Sequence, residues 1–134
     1  MIVWLTGLSG SGKSTVNKIL QQLLIKKSID TIMIDGDVLR ELYGNDLKFN
    51  ENDRKKQIKR IQKLACFFEK SKRIVLVSAL YSNQNILKKN RKIFKKYLEV
   101  YLKAPISVLK IRDIKNLYKL ALKNKIKNLV GVDI

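Results

Sequence analysis

The stretch Gly7-Leu8-Ser9-Gly10-Ser11-Gly12-Lys13-Ser14 decides the fold of this 134-residue chain. It fits the pattern GxxxxGK followed by Ser or Thr, which describes a loop whose backbone N–H groups surround phosphate oxygens. The apolar run at 2–6 precedes the loop and predicts a strand. Apolar residues at helical spacing follow the loop: Val16, Ile19, Leu20 and Leu23. Strand, loop and helix in this order are the context that the pattern requires.

Each part of this loop has a physical reason to bind a nucleoside triphosphate. The glycines let the chain curl, and the following helix adds the positive end of its dipole. Lys13 reaches the β- and γ-phosphates, and the Ser14 hydroxyl binds Mg²⁺. The alternative is a Gly/Ser-rich turn that happens to contain a lysine. We expect ATP or GTP binding, with contacts from Gly7, Leu8, Ser9, Gly10, Ser11, Gly12, Lys13, Ser14 and Thr15.

Two carboxylates follow the next predicted strand, at 31–34, in the sequence Asp35-Gly36-Asp37. Because the carboxyl ends of parallel strands face one crevice, these side chains are expected to point toward the phosphates. Phosphoryl transfer needs one carboxylate to hold Mg²⁺ and another to orient or deprotonate the attacking hydroxyl. The alternative is an Asp-Gly turn in which Asp37 caps the next helix. Beside a phosphate-binding loop, the catalytic interpretation is favoured.

The remaining patterns alternate between helix and strand. They predict an amphipathic helix over 51–72, a strand over 74–77, a helix over 86–97 and a strand over 98–102. A short helix over 106–112 and a lysine-dense stretch over 117–129 follow. Such alternation implies right-handed crossovers and a parallel sheet. We predict one α/β domain over 1–134 with the P-loop NTPase fold, its sheet flanked by helices and its P-loop strand central.

Composition excludes several kinds of chemistry. The chain has no His and a single Cys, Cys66, so a Ser-His or Cys-His catalytic pair, a histidine zinc site and an internal disulfide are impossible. The net charge of +18 comes from basic residues scattered between Lys13 and Lys127. A solvated lysine-rich surface is therefore favoured over a nucleic-acid-binding face.

The sequence shows no pattern of a targeting signal or a membrane span. The longest apolar stretch, 74–81, is far too short to cross a bilayer, and 1–4 lacks the charged start of a signal peptide. We expect a cytoplasmic protein without a membrane partner.

Ordered blocks along the chain resemble the adenylylsulfate (APS) kinase family of P-loop kinases. They are the loop with Thr15, the stretch Asp35-Gly36-Asp37-Val38-Leu39-Arg40, Phe49 with Asp53-Arg54, Arg112-Asp113 with Lys115 and Leu117-Tyr118, and Gly131 with Asp133. Members of this family use MgATP to phosphorylate the ribose 3′-hydroxyl of APS. The resemblance implies ATP and Mg²⁺ as cofactors, a small nucleotide as the partner substrate, and a homodimer.

The resemblance also implies roles for single residues. Asp37 would be the base for the acceptor hydroxyl, with Lys13 and Asp35 as the other catalytic residues and Ser14 and Asp35 as metal ligands. Lys115 would belong to a mobile lid at about 112–130, which excludes water from the reaction. The acceptor would contact Asp37, Arg40, Phe49, Arg54, Gln57, Ser78, Lys115 and Leu129.

The sequence departs from the family pattern at four places, all expected near the acceptor. Leu129 replaces one of two aromatic rings around the base, Gln57 replaces Asn, Ser78-Ala79 replaces Ser-Pro, and Gln84 replaces Arg. We expect APS as acceptor, with cytidine diphosphoramidate, a precursor for capsule decoration, as the alternative. Family members continue past Gly131 with a strand and a helix, so an ATP-binding but inactive truncated domain is the third possibility.

Overall fold

Four strands form one parallel sheet in the computed structural model, which describes residues 1–113 and 115–132. They are β1 (Ile2–Thr6), β2 (Thr31–Asp35), β3 (Ile74–Ala79) and β4 (Tyr97–Tyr101). The order is β2-β3-β1-β4, so the prediction of an inner P-loop strand is confirmed. The register pairs Asp35 with Ser78 and Thr6 with Ala79, which brings the ends of three strands together.

Helices cover both faces of this sheet. Within the described residues they are α1 (Lys13–Lys26), α2 (Gly36–Leu42), α3 (Glu51–Glu69), α4 (Gln84–Ile93), α5 (Ile106–Arg112) and α6 (Leu117–Leu122). The larger core packs α2, α3 and α4 against one face, where Trp4 and Val77 are fully buried. On the other face Leu20 and Leu24 of α1 pack near Leu76. The predicted α/β fold is confirmed.

A third, smaller cluster lies beside the P-loop, and we call it the C-terminal core. Its buried members are Leu109, Tyr118 and Leu129, with Leu8, Ala104, Leu117 and Ala121 packed against them. Because Leu8 belongs to the P-loop, this core joins α5 and α6 to that loop.

The buried face of α1 differs from the expectation. Of the four apolar residues at helical spacing, Leu20 packs on the sheet, whereas Val16, Ile19 and Leu23 are 39%, 53% and 52% exposed. The fully buried residue of this helix is Asn17. The apolar pattern located the helix correctly but not its inward face, because a polar contact described below holds Asn17 against the sheet.

The predicted helix over 86–97 extends too far. α4 ends at Ile93, and β4 begins at Tyr97, one residue before the predicted strand. The side chain of Phe94 is buried in the main core beside Trp4, and the Glu69 carboxylate accepts hydrogen bonds from the backbone N–H groups of Lys95 and Lys96. These tertiary contacts hold residues 94–96 in a non-helical conformation, so the helix ends at Ile93.

The helix α3 is also shorter than predicted. α3 ends at Glu69 rather than residue 72, where the Ser71 hydroxyl donates to the Phe68 carbonyl and Lys72 turns the chain with a φ of 60°. The helical part of the stretch 117–129 is confined to α6 (Leu117–Leu122). In the described part of the chain, no helix is both long and apolar enough to cross a membrane.

A buried chain of side-chain hydrogen bonds joins α3, α4 and β4. Gln62 Nε2 donates to Asn90 Oδ1 at 2.7 Å, and Asn90 Nδ2 donates to the Tyr97 hydroxyl at 3.2 Å. The Tyr97 hydroxyl in turn donates to Glu99 Oε2 at 3.1 Å, and burial raises the pKa of Tyr97 to about 12. A polar chain inside an apolar core stabilises one packing arrangement only while all its members are paired.

Removing the middle of this chain is expected to destabilise the fold. Asn90→Ala leaves the Gln62 amide without its acceptor and opens a small cavity, so the free energy of unfolding should fall by about 2–4 kcal/mol in urea titrations. Asn85→Ala, on an exposed position of the same helix, is the matched control and should cost less than about 0.5 kcal/mol. Equal stability of the two variants would contradict the structural role of the chain.

Candidate active site

The P-loop curls around the ammonium group of Lys13. Lys13 Nζ donates to the carbonyl oxygens of Gly7 at 2.7 Å and of Leu8 at 2.8 Å. Gly10 and Gly12 have φ angles of 79° and 95°, which side-chain-bearing residues rarely adopt. A Cβ on Gly7 would lie 2.6 Å from the Leu102 carbonyl oxygen, so this position also requires glycine. The glycines of the pattern are therefore needed for the shape of the loop.

Burial changes the acidity of Lys13. Removal from water lowers the pKa of its ammonium group to about 8, although the nearby carboxylates of Asp37 and Asp35 act in the opposite direction. The ammonium group at the bottom of the loop is thus a partly desolvated cation, which interacts more strongly with phosphate oxygens than a solvated one.

Asp35 connects the P-loop helix to the end of β2. Ser14 Oγ donates to Asp35 Oδ2 at 2.6 Å, and the backbone N–H of Asp37 donates to Asp35 Oδ1 at 2.9 Å. Asp35 is therefore the N-cap of α2, and the alternative in which Asp37 caps this helix is wrong. Because Asp35 makes the capping bond, the Asp37 carboxylate in the first turn stays available to the cleft.

The Asp37 carboxylate faces the segment that follows α5. It forms an ion pair with Lys115, and the two side chains are 63% and 53% exposed. Lys115 also lies near enough to Lys13 to lower the pKa of that ammonium group. The structure thus brings together Lys13, Asp37 and Lys115, which are 24 and 78 residues apart in sequence.

Two guanidinium groups flank the ring of Phe49. The Cζ atoms of Arg40 and Arg54 lie 4.8 Å and 5.5 Å from its centroid. Arg54 is buried, donating from Nε to the Phe49 carbonyl at 2.7 Å and from Nη2 to the Asn128 carbonyl. Arg40 Nη1 donates to the Leu47 carbonyl, and burial lowers the pKa of Arg40. These three predicted acceptor contacts form one group at the mouth of the cleft.

Gln57 and Ser78 lie behind the Asp35-Gly36-Asp37 turn. Gln57 Nε2 donates to the Gly36 carbonyl at 3.0 Å, and its buried Oε1 has no hydrogen-bond partner among the described residues. Ser78 Oγ accepts a 2.7 Å hydrogen bond from Asn17 Nδ2. Both predicted residues border the cleft and also support the elements around it.

Some predicted residues lie outside the cleft. Gly7, Leu8 and Ser11 do not line it, and Leu8 packs into the C-terminal core with Gly131 against its side chain. Gln84 is exposed at the start of α4 and does not line the cleft, unlike the other three departures from the family pattern. Leu129 does line the cleft, although it is 5% exposed and belongs to the C-terminal core. Asp133, quoted for the family pattern, lies outside the described residues.

The cleft has a volume of about 390 Å³ and lies between the P-loop, the ends of β2 and β3, α3 and the C-terminal core. Pockets of this size hold small-molecule ligands. Its described lining includes five cationic side chains and three carboxylates, so it attracts an anion overall. The cations are Lys13, Arg40, Arg54, Lys115 and Lys127, and the carboxylates are Asp35, Asp37 and Asp113.

The donor set next to the loop suits Mg²⁺ that arrives with a nucleotide. In the described part of the chain, no cluster of three or more His, Cys, Asp or Glu side chains could hold a metal alone. Ser14 and Asp35 offer a hydroxyl and a carboxylate 2.6 Å apart. Mg²⁺ is commonly bound through one or two such groups together with substrate phosphates, so these residues fit the ion.

Three residues around the site were not among the predicted contacts. Asn17 holds Ser78, the Tyr118 hydroxyl donates to the Ser9 carbonyl at 2.9 Å, and Arg112 Nη1 lies 3.4 Å from the Gly10 carbonyl. The apolar pattern of α1 placed Asn17 away from the buried face, so its contact with Ser78 was not predicted. No local sequence pattern predicts that Tyr118 and Arg112 contact a loop about 100 residues away.

The similarity of this chain to known proteins extends over its whole length. The profile of the adenylylsulphate kinase family matches residues 1–134. An adenylyl-sulfate kinase of Microcystis aeruginosa is 40% identical over 131 residues, which are 98% of this chain and 72% of that protein. The corresponding kinase of Thermodesulfovibrio yellowstonii is 36% identical, with 98% of this chain and 66% of that protein covered.

A solved structure agrees with these sequence relatives. The Mycobacterium tuberculosis APS kinase CysC, in complex with AMPPNP and APS, superposes with a TM-score of 0.92 at 33% identity, covering 98% of this chain and 79% of that one. This chain is thus shorter than the relatives it matches. It belongs to the adenylylsulphate kinase family, whose members are phosphotransferases with an alcohol group as acceptor.

Proposed function

We propose that this chain transfers the γ-phosphate of MgATP to the ribose 3′-hydroxyl of APS. The observation that carries the proposal is that Ser14 of the P-loop is hydrogen-bonded to Asp35, while Asp37, two residues on, faces the same cleft as Arg40 and Arg54. One cleft thus holds groups suited to a triphosphate and groups suited to an anionic alcohol. Family membership supports the same acceptor.

The nucleotide side acts by binding and orienting phosphates. The loop amides and the Lys13 ammonium are proposed to bind the β- and γ-phosphates and to stabilise the negative charge that develops on their oxygens. Ser14 and Asp35 would hold Mg²⁺, which when bound neutralises charge on the phosphate oxygens. Both residues are exposed enough to exchange their mutual hydrogen bond for other ligands.

Asp37 is the proposed base. Its carboxylate accepts the proton of the 3′-hydroxyl, the hydroxyl oxygen bonds to the γ-phosphorus, and the bond from that phosphorus to the bridging oxygen breaks to leave ADP. This carboxylate is paired with Lys115. The acceptor hydroxyl must therefore compete with that ammonium group for Asp37.

The remaining predicted contacts are proposed to bind the acceptor. Phe49 offers a ring for stacking the base, and Arg40 and Arg54 beside it offer charge for the phosphate and sulfate end. Gln57, Ser78 and Leu129 complete the pocket wall, and the segment 112–130 acts as the lid of a single kinase domain over 1–134. The homodimer implied by the resemblance stays a prediction.

The decisive test measures ADP release from MgATP by purified protein with APS, with cytidine diphosphoramidate, or with no acceptor. Release that depends on APS is expected, and Lys13→Met should abolish it because the phosphates lose their buried cation. Lys18→Met, on an exposed position of the same helix, is the control and should retain activity.

The alternative outcomes separate the candidate functions. Release that depends only on the cytidine compound would overturn APS as the acceptor and leave the kinase assignment intact. Tight ATP binding with no release for either acceptor would favour a domain that binds ATP without catalysis.

The role of Asp37 has its own test. Asp37→Asn should lower kcat about a hundredfold or more while changing the KM for ATP little, because the amide cannot accept the proton but keeps the shape of the turn. Glu41→Gln, an exposed carboxylate on the same helix α2, is the matched control. A kcat for Asp37→Asn near that of the unaltered protein would mean that another group is the base.

Nucleotide affinity is expected to depend on pH above neutrality. With a Lys13 pKa of about 8, the ammonium group that attracts phosphate is mostly neutral in the free protein at pH 9. The Kd for MgADP should therefore rise roughly tenfold between pH 7 and pH 9, as measured by calorimetry. Lys13→Arg keeps its charge over this range and should flatten the profile. A flat profile in the unaltered protein would contradict the lowered pKa.

A further inference from the structure

Tyr118 makes a contact with the P-loop that the proposed reaction does not use. Its ring is 2% exposed in the C-terminal core, and its hydroxyl donates to the Ser9 carbonyl at 2.9 Å. Burial raises the pKa of this hydroxyl, so it stays a hydrogen-bond donor throughout the neutral range. The helix that carries it is fixed in turn, because the Asp113 carboxylate accepts from the backbone N–H groups of Tyr118 and Lys119.

This hydrogen bond determines the orientation of one peptide plane in the loop. The Ser9 carbonyl and the Gly10 N–H belong to the same peptide unit, which is trans because the described chain has no cis peptide bonds. In a trans peptide the C=O and N–H groups point in opposite directions. Holding the carbonyl toward Tyr118 therefore turns the Gly10 N–H to the other side of the loop.

The Gly10 N–H is available to a ligand. Gly10 borders the cleft, and within the described part of the chain its N–H donates to no acceptor of the protein. With a φ of 79°, Gly10 is also a flexible point at which the peptide plane could turn if the carbonyl were released. Backbone N–H groups aimed at a common point are what bind phosphate in such loops.

Two further contacts hold the same part of the loop from the same side. Arg112 Nη1 lies 3.4 Å from the Gly10 carbonyl, and the Leu8 side chain packs into the C-terminal core against Gly131. The phosphate-binding loop is thus supported on this side by residues within 109–113 and 115–131. These residues also carry Leu129, which borders the proposed acceptor pocket.

We infer that Tyr118 is a positioning residue for the nucleotide phosphates: its hydroxyl, through the Ser9 carbonyl, aims the Gly10 N–H at the phosphate site. This inference rests on one part of the proposed function, namely that the loop binds a nucleoside triphosphate. It gives the C-terminal core a direct effect on nucleotide affinity. A disturbance of the C-terminal core that breaks this hydrogen bond therefore reaches the phosphate site.

The test replaces only the hydroxyl. Tyr118→Phe keeps the ring and its apolar contacts, and Tyr101→Phe, with a side chain 63% exposed at the end of β4, is the matched control. Calorimetry with MgAMPPNP and with magnesium tripolyphosphate should give Kd values raised roughly three- to tenfold in Tyr118→Phe, the effect of one hydrogen bond. The Kd for APS in nucleotide-free protein should change less than twofold, and Tyr101→Phe should change none of these values.

A second measurement examines the peptide plane without any ligand. The Gly10 amide signal in ¹⁵N-labelled nucleotide-free protein should shift in Tyr118→Phe, with changes confined to 8–12 and 112–131. Unchanged Kd values, an unmoved Gly10 signal, or changes spread through the whole spectrum would overturn the inference, the last because the hydroxyl would then serve the fold. AMPPNP binding without ADP release would instead refute the proposed function and leave the inference standing.

Discussion

The hydrogen bonds between the Lys13 ammonium and the carbonyl oxygens of Gly7 and Leu8 are the interaction on which the rest of the site depends. They close the loop around a buried cation, and the loop can close this tightly only where glycines accept its backbone angles. The closed loop starts α1 at Lys13, so the next residue, Ser14, lies against Asp35 at the end of β2. The proposed metal ligands are thus brought together by the conformation of the loop.

The loop is held from two sides by different parts of the fold. The sheet supports it on one side, since β1 lies between β3 and β4, with Ser78 near the end of β3 and Asp35 at the end of β2 beyond it. The C-terminal core supports it through Leu8 and Tyr118. The first support depends on backbone hydrogen bonds of the sheet, whereas the second combines apolar packing with the hydrogen bond from the Tyr118 hydroxyl to the Ser9 carbonyl. The two supports thus hold the loop by different kinds of contact.

Sequence patterns predicted the features that depend on local chemistry. The strand, loop and helix around the P-loop, the parallel sheet and the family followed from residues 2–23 and from the ordered blocks. What could not be predicted involves distant partners. Asn17 faces inward because it bonds to Ser78, 61 residues away, and α4 ends early because Phe94 enters the main core. The capping role of Asp35 rather than Asp37 depends on backbone geometry at a single turn.

Leu129 belongs both to the C-terminal core and to the wall of the cleft. Its side chain is 5% exposed and packs with Leu109 and Tyr118, so a larger aromatic side chain would have to displace part of the C-terminal core. The same residue borders the cleft that holds Phe49. The guanidinium groups of Arg40 and Arg54 lie against the Phe49 ring at the proposed base site. On the proposed function, acceptor binding therefore depends on positive charge as well as on stacking.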